Sequence, residues 1–210
     1  VRTICGNEVG EWSSIVKGKS GVLPHFSECV WKECPETPGA FGGMGRKPYS
    51  VSSKNPRVAT STSKTPCVVK GSLVLPSNKV TSWSIKALSS QGECDFKKGT
   101  YVGVTQATGG QKRRLHRRSD QFRHGWYMNC YSSSLWSGPP HDYTGRKYGN
   151  RIEGCVTGSF VGVVMDTTKG ELSFVVGGVD LGVAFEGIPL DKPLVPCVLL
   201  HEKDSIEIIF

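Results

Sequence analysis

From Val161 to Phe185, large apolar residues recur at every second position, and turn residues cut the run into three passes. Val161, Val163 and Met165 make the first, and Asp166-Thr-Thr-Lys-Gly170 interrupts it. Leu172, Phe174 and Val176 make the second, Gly177-Gly178 interrupts again, and Leu181–Phe185 begins the third. A period of two in short runs rich in β-branched and aromatic residues, punctuated by turn dipeptides, predicts antiparallel strands joined by hairpins. The same rule applied along the chain predicts strands near 57–61, 67–72, 81–88, 100–105, 126–130, 159–166, 171–176, 181–185, 193–200 and 205–210. Ser205–Phe210 shows the alternation of a half-buried strand at Ile206, Glu207 and Ile208. No segment has the spacing of an amphipathic helix, and no internal repeat is present, so the predicted fold is all-β. Residues 1–50 break the pattern. Pro35–Gly39 and Gly42–Gly45 lack any sustained period, while Trp12, Phe26, Trp31 and Phe41 are too apolar for a solvated linker. They read as an irregular N-terminal extension packed on the sandwich, with the main domain at 51–210.

The order of motifs is more specific than generic β sequence. Val161-Gly-Val-Val-Met-Asp166, Gly170-Glu-Leu-Ser-Phe174, Gly177-Gly178, Gly182-Val-Ala-Phe185 and Pro193-Leu-Val-Pro-Cys-Val198 follow one another, and this series resembles the SPRY (B30.2) domain family. Upstream, Trp83–Leu88, Tyr101-Val-Gly-Val-Thr105 and Gly125-Trp-Tyr-Met-Asn129 resemble that family's middle strands, and Asn55–Ala59 with Cys67–Gly71 resemble its opening ones. The resemblance implies a bent antiparallel β-sandwich of SPRY type whose strands are scaffold and whose end loops recognise a partner protein. It also implies three contact regions: Arg57 to Ala59, the loop Gln106 to Arg123, and the last turn, His201 to Asp204. Relatives carry a tryptophan-glycine pair in that last turn where this chain has His201-Glu202, so a different ligand is expected.

Composition narrows the choice. The hydrophobic share of 37% suits strands that bury alternate residues, and no run reaches the ~18 apolar residues that span a bilayer. Of the eight cysteines, Cys67, Cys130 and Cys197 lie in apolar strand patterns, where a free thiol behaves as a small hydrophobe. No disulfide is expected among these three, which points to a cytoplasmic or nuclear location. His25, Cys29 and Cys34, with Cys5, have the residue types of a zinc site, but the spacing is loose and no second close pair completes it. Neither metal nor cofactor is expected.

Nothing points to catalysis. The sequence has no GxSxG elbow, no phosphate-cradling glycine loop before a helix, and no pair of acids placed to converge on a cleft. His116 and His124 lie among arginines, where neighbouring positive charge disfavours protonation. Charge is instead the chain's distinctive resource. The net charge is +8, and Lys112, Arg113, Arg114, Arg117, Arg118 and Arg123 oppose Asp120 alone within one loop. Guanidinium forks match carboxylate and phosphate geometry, so the natural ligand is an acidic or phosphorylated segment. Leu115 within the run favours a protein partner. RNA or another polyanion bound through residues 111–123 is the alternative, with Tyr131, Trp136, Tyr143 and Tyr148 as candidate stacking platforms. The expected partner-binding residues are Arg57, Ala59, Arg113, Arg114, Leu115, Arg117, Trp136, Tyr143, His201 and Glu202. Trp136 lies between Ser and Gly-Pro-Pro, outside any strand pattern, and is expected in a loop.

Overall fold

The computed structural model describes residues 28–33, 47–63, 66–89, 100–107, 122–149, 160–201 and 203–210. Among them the chain forms β1 (Tyr49–Val51), β2 (Val58–Ser61), β3 (Cys67–Lys70), β4 (Val80–Ser89), β5 (Tyr101–Gln106), β6 (Gly125–Asn129), β7 (Ser134–Ser137), β8 (Thr144–Lys147), β9 (Phe160–Asp166), β10 (Glu171–Val176), β11 (Val179–Phe185), β12 (Leu194–Leu200) and β13 (Ser205–Ile209). They build two antiparallel sheets, one in the order β1-β2-β13-β4-β9-β10-β11 and the other β3-β12-β5-β6-β7-β8. All ten strands expected from the alternation are present, each within two residues of its predicted ends. Three others carried no such signal. β1 is too short for a period to show, β7 (Ser-Leu-Trp-Ser) has no alternation and β8 is polar; the last two lie toward one edge, held by pairing outward from β6.

Register turns the alternation into a core. Phe174 lies opposite Val163, and Leu172 opposite Met165, across the β9–β10 hairpin. Successive side chains on a strand face opposite sides, so Leu172, Phe174 and Val176 share the inward face with Val161, Val163 and Met165. They meet Val102, Val104, Trp126, Met128, Leu194, Val198 and Leu200 of the second sheet in one buried cluster. Burying each such side chain contributes roughly 1.5–3 kcal/mol.

Both open sides of the sandwich are closed. On one, residues 28–33 strap across: Trp31 N donates to Pro56 O at 3.0 Å, Lys32 N to Lys70 O at 2.8 Å, and Ser72 N to Val30 O at 2.8 Å. Cys29, Trp31 and Tyr49 thereby join the main core from within the predicted extension. On the other side, Trp126 Nε1 donates to His141 Nδ1 at 3.1 Å, which leaves His141 Nε2–H to donate to Glu186 O at 2.7 Å. Tyr143 stacks on Phe185 with centroids 5.5 Å apart, and Tyr148 donates its hydroxyl proton to Gly182 O.

Cys29, Cys67, Cys130 and Cys197 are free and buried. The proposed zinc companions Cys5, His25 and Cys34 lie outside the described residues. Among the described residues no three His, Cys, Asp or Glu side chains group as metal ligands, and no helix is long and apolar enough to cross a membrane.

Candidate functional site at the basic end

Strand register sorts the connections into two ends. Leu194 pairs with Gln106, Thr105 with Gly125, and Trp126 with Ser137, so the β5–β6, β7–β8, β11–β12 and β3–β4 connections leave from one end of the second sheet. The arginine-rich loop is the β5–β6 connection, which makes this the basic end. Leu200 pairs with Cys67 and Tyr101 with Asn129, so the β12–β13 turn lies at the other end.

This geometry separates regions that the resemblance grouped. His201 sits in the β12–β13 turn, its N–H bonded to Asp204 Oδ2 at 2.8 Å. The run of β5 from Tyr101 to Gln106 covers roughly 17 Å at about 3.3 Å per residue. The last turn and the roots of the basic loop therefore stand at opposite ends of the sandwich. Ala59 is 0% exposed and belongs to the core, so it has no side chain to offer a partner. Arg57, at the entry to β2 on the basic end, is half-buried and accepts Ile208 N at 3.0 Å through its carbonyl.

Trp136 corrects the loop expectation. It lies in β7, half-buried on the outer face of the second sheet, with Nε1 donating to Ser134 Oγ at 3.0 Å. Its ring packs 5.1 Å from Phe122 and 5.9 Å from Tyr101. Tyr143 is likewise occupied: Phe185 stacks on it, and the Arg146 guanidinium lies 4.6 Å from its centroid. Arg113, Arg114, Leu115, Arg117 and Glu202 lie outside the described residues.

The roots of the basic loop are firmly placed. Phe122 inserts into a second apolar cluster with Val68, Tyr101, Tyr127, Cys197 and Leu199 on the outer sheet face. Gln106 N and Thr105 Oγ1 both donate to His124 O, at 2.9 and 2.8 Å, and Ala107 N donates to Pro193 O at 2.8 Å. Gly138 leaves room for Arg123, since a Cβ there would overlap the Arg123 main chain.

These bonds gather basic residues that are far apart in sequence. Lys70, at the end of β3, donates from Nζ to Gln106 O at 3.0 Å. Burial pushes the Lys70 ammonium below its ordinary pKa; the neighbouring Cys197 opposes that and Lys32 reinforces it. His124 is lowered chiefly by partial burial, then by the positive charges of Arg123, Lys192 and Lys70. Beneath them, burial pushes the Cys197 thiol up to about 12 and holds Tyr127 well above the usual phenol range, so neither is a nucleophile near neutrality. Sequence reading missed Lys70 and Lys192, because nothing local links positions 70, 123, 124 and 192. Val74 and Leu190, 50% and 44% exposed, lie on the neighbouring β3–β4 and β11–β12 connections, which Leu75 N joins by donating to Leu194 O at 2.8 Å.

The SPRY domain family matches residues 83–210. Among solved structures, the SPRY domain of human HERC1 is similar at 20% identity over 80% of this chain and 97% of that one, with a TM-score of 0.57. The TRIM65 PSpry domain is similar at 13% identity over 87% and 92%, with a TM-score of 0.58. Stonustoxin is similar at 18% identity over 86% of this chain and 27% of that one, with a TM-score of 0.53. At these identities the likeness to solved structures is one of fold. No curated protein matches the chain.

Proposed function

The chain belongs to the SPRY domain family, and from that premise we propose that it is a non-catalytic module that captures a short acidic or phosphorylated segment of a partner protein at its basic end. Domains of this family generally serve as protein–protein interaction modules. The observation that carries the reading is the convergence at one end of the roots of the arginine-rich connection, the basic residues Lys70, Arg123, His124 and Lys192, and the exposed apolar side chains Val74 and Leu190. Rigid strands hold the roots of these loops, so binding loses less conformational entropy than mobile loops would demand. The four described thiols are free and buried, which supports a cytoplasmic or nuclear setting.

A protein partner is favoured over RNA by the state of the aromatic rings. Single-stranded nucleic acid is bound by stacking bases on open rings. Here Tyr101, Phe122, Tyr127 and Tyr148 are buried, Trp136 and Tyr143 are engaged with neighbouring rings, and Tyr131, half-buried, follows β6 at the opposite end from the basic loop.

An arrayed library of acidic, phosphorylated and neutral peptides tests the reading. The wild-type chain should enrich acidic or phosphorylated sequences, and the triple variant Arg113→Glu, Arg114→Glu, Arg117→Glu should lose them while melting at the same temperature. Absence of enrichment, or enrichment indifferent to the triple reversal, would overturn it.

A further inference from the structure

We propose that Lys70, Arg123, His124 and Lys192 form a receptor for a phosphate monoester carried on the bound segment. The inference rests on the basic end being the recognition surface and names the group recognised there.

Placement is the first argument. The four residues come from β3, from the two positions preceding β6, and from the connection before β12, and main-chain bonds bring their strands together at the end of β5. Gln106 is the hub: its N–H is held by His124 O, its carbonyl by Lys70 Nζ, and the adjacent Ala107 N–H by Pro193 O. Gly138 fixes the Arg123 backbone from the β7 side. A receptor whose parts are anchored this way is organised before its ligand arrives.

Charge is the second argument. Among the described residues, the charges acting on His124 are all positive. The acidic Asp191 adjoins Lys192 in the chain and is exposed. Positive charge gathered round a partly buried imidazole disfavours its protonation, and an incoming anion reverses that.

Stoichiometry selects the anion. A carboxylate brings one charge and two oxygens, enough for one guanidinium fork. A phosphate monoester brings nearly two charges and three acceptor oxygens, which suits one fork, two ammonium groups and an imidazole together. Val74 and Leu190 on the adjoining connections would meet apolar side chains flanking the phosphorylated residue.

The test uses the intact chain, isotopically labelled, titrated with phenyl phosphate and separately with benzoate, following the His124 ring and Arg123 Nε–H resonances. Phenyl phosphate should shift both, bind more tightly than benzoate, and weaken about tenfold in His124→Gln/Lys192→Gln, as loss of two partly exposed charge-assisted contacts implies. Unshifted His124 and Arg123 resonances, equal affinity for benzoate, or unchanged affinity in the double variant would overturn the proposal. So would preferential binding of a uridine hexamer with a steep salt dependence, which describes a general polyanion surface. The variant Arg113→Glu/Arg114→Glu/Arg117→Glu separates the two readings. If it loses peptide capture while phenyl phosphate still binds at His124, both stand. If peptide capture survives it but phenyl phosphate binding requires His124 and Lys192, the receptor stands and the role of the arginine loop falls.

Discussion

Trp31 and Gly71 pair as an isolated antiparallel bridge that ties residues 28–33 to the end of β3, and the Trp31 side chain is 2% exposed. A Cβ on Gly71 would sit 3.0 Å from Cys29 Sγ and 3.3 Å from Pro196 Cδ, so an added methyl would press on both. The strap is therefore part of the core. Trp31→Ala should destabilise the domain by about 3–5 kcal/mol, the usual cost of emptying a large aromatic site. Trp31→Phe should cost less, because among the described residues the buried indole N–H has no hydrogen-bond partner to lose. Urea unfolding midpoints at constant m-value measure both, and an alanine variant as stable as wild type would show the strap to be dispensable.

A pH dependence follows from His124. Partial burial, and after it the positive charges of Arg123, Lys192 and Lys70, hold its pKa below 6.5 in the free protein. A bound phosphate raises it, and complex formation takes up a proton between the free and bound values. Affinity for phenyl phosphate should rise as pH falls through the bound pKa and level off below the free one. The phosphate's own second pKa, about 6, opposes this at the acid end. His124→Gln isolates the effect: the ratio of wild-type to variant affinity should grow as pH falls toward 6.5. A ratio that stays constant from pH 8 to 6 would remove His124 from the receptor.

Asp204 closes the β12–β13 turn, accepting Thr100 Oγ1–H at 2.9 Å and His201 N–H at 2.8 Å. Burial outweighs these bonds and raises its pKa above 3.8. The folded chain then holds a proton on this group that the unfolded chain releases. Its contribution to stability is complete below pH 3.8 and is lost as pH rises through the folded value. Asp204→Asn keeps an oxygen acceptor and removes the titration. The variant should gain stability relative to wild type between pH 4 and 7, read as a change in the difference between their urea midpoints. A difference that does not vary with pH contradicts the assignment.

Cys67 in β3, Cys130 in the turn that follows β6 and Cys197 in β12 are buried, and the Cys197 thiol is pushed from 9.0 to about 12. At a given pH that leaves Cys197 roughly a thousandfold less thiolate than an ordinary cysteine. Iodoacetamide should spare these three in the native protein and modify them in urea without any reductant. Peptide mapping that finds a bridged pair among them, or rapid native labelling of Cys197, would contradict the structure.

The alternation of Val161–Val176 determined the β9–β10 hairpin and its buried face, because a strand's period of two is local and a one-residue slip would expose Phe174 and Leu172 together. The motif order, the free strand thiols and the concentration of positive charge in one loop were legible for the same reason, each being written in neighbouring residues. Tertiary structure decided the rest. β7 and β8 are four residues each without alternation and become strands through partners already in the sheet, which is how Trp136 comes to lie in a strand and Tyr143 comes to brace Phe185. Only register shows that His201 stands at the opposite end from the loop roots. The grouping of Lys70, Arg123, His124 and Lys192 depends on β12 lying between β3 and β5. Adjacency between strands distant in sequence is set by crossovers and hydrogen-bond register, which leave no periodic trace in the chain.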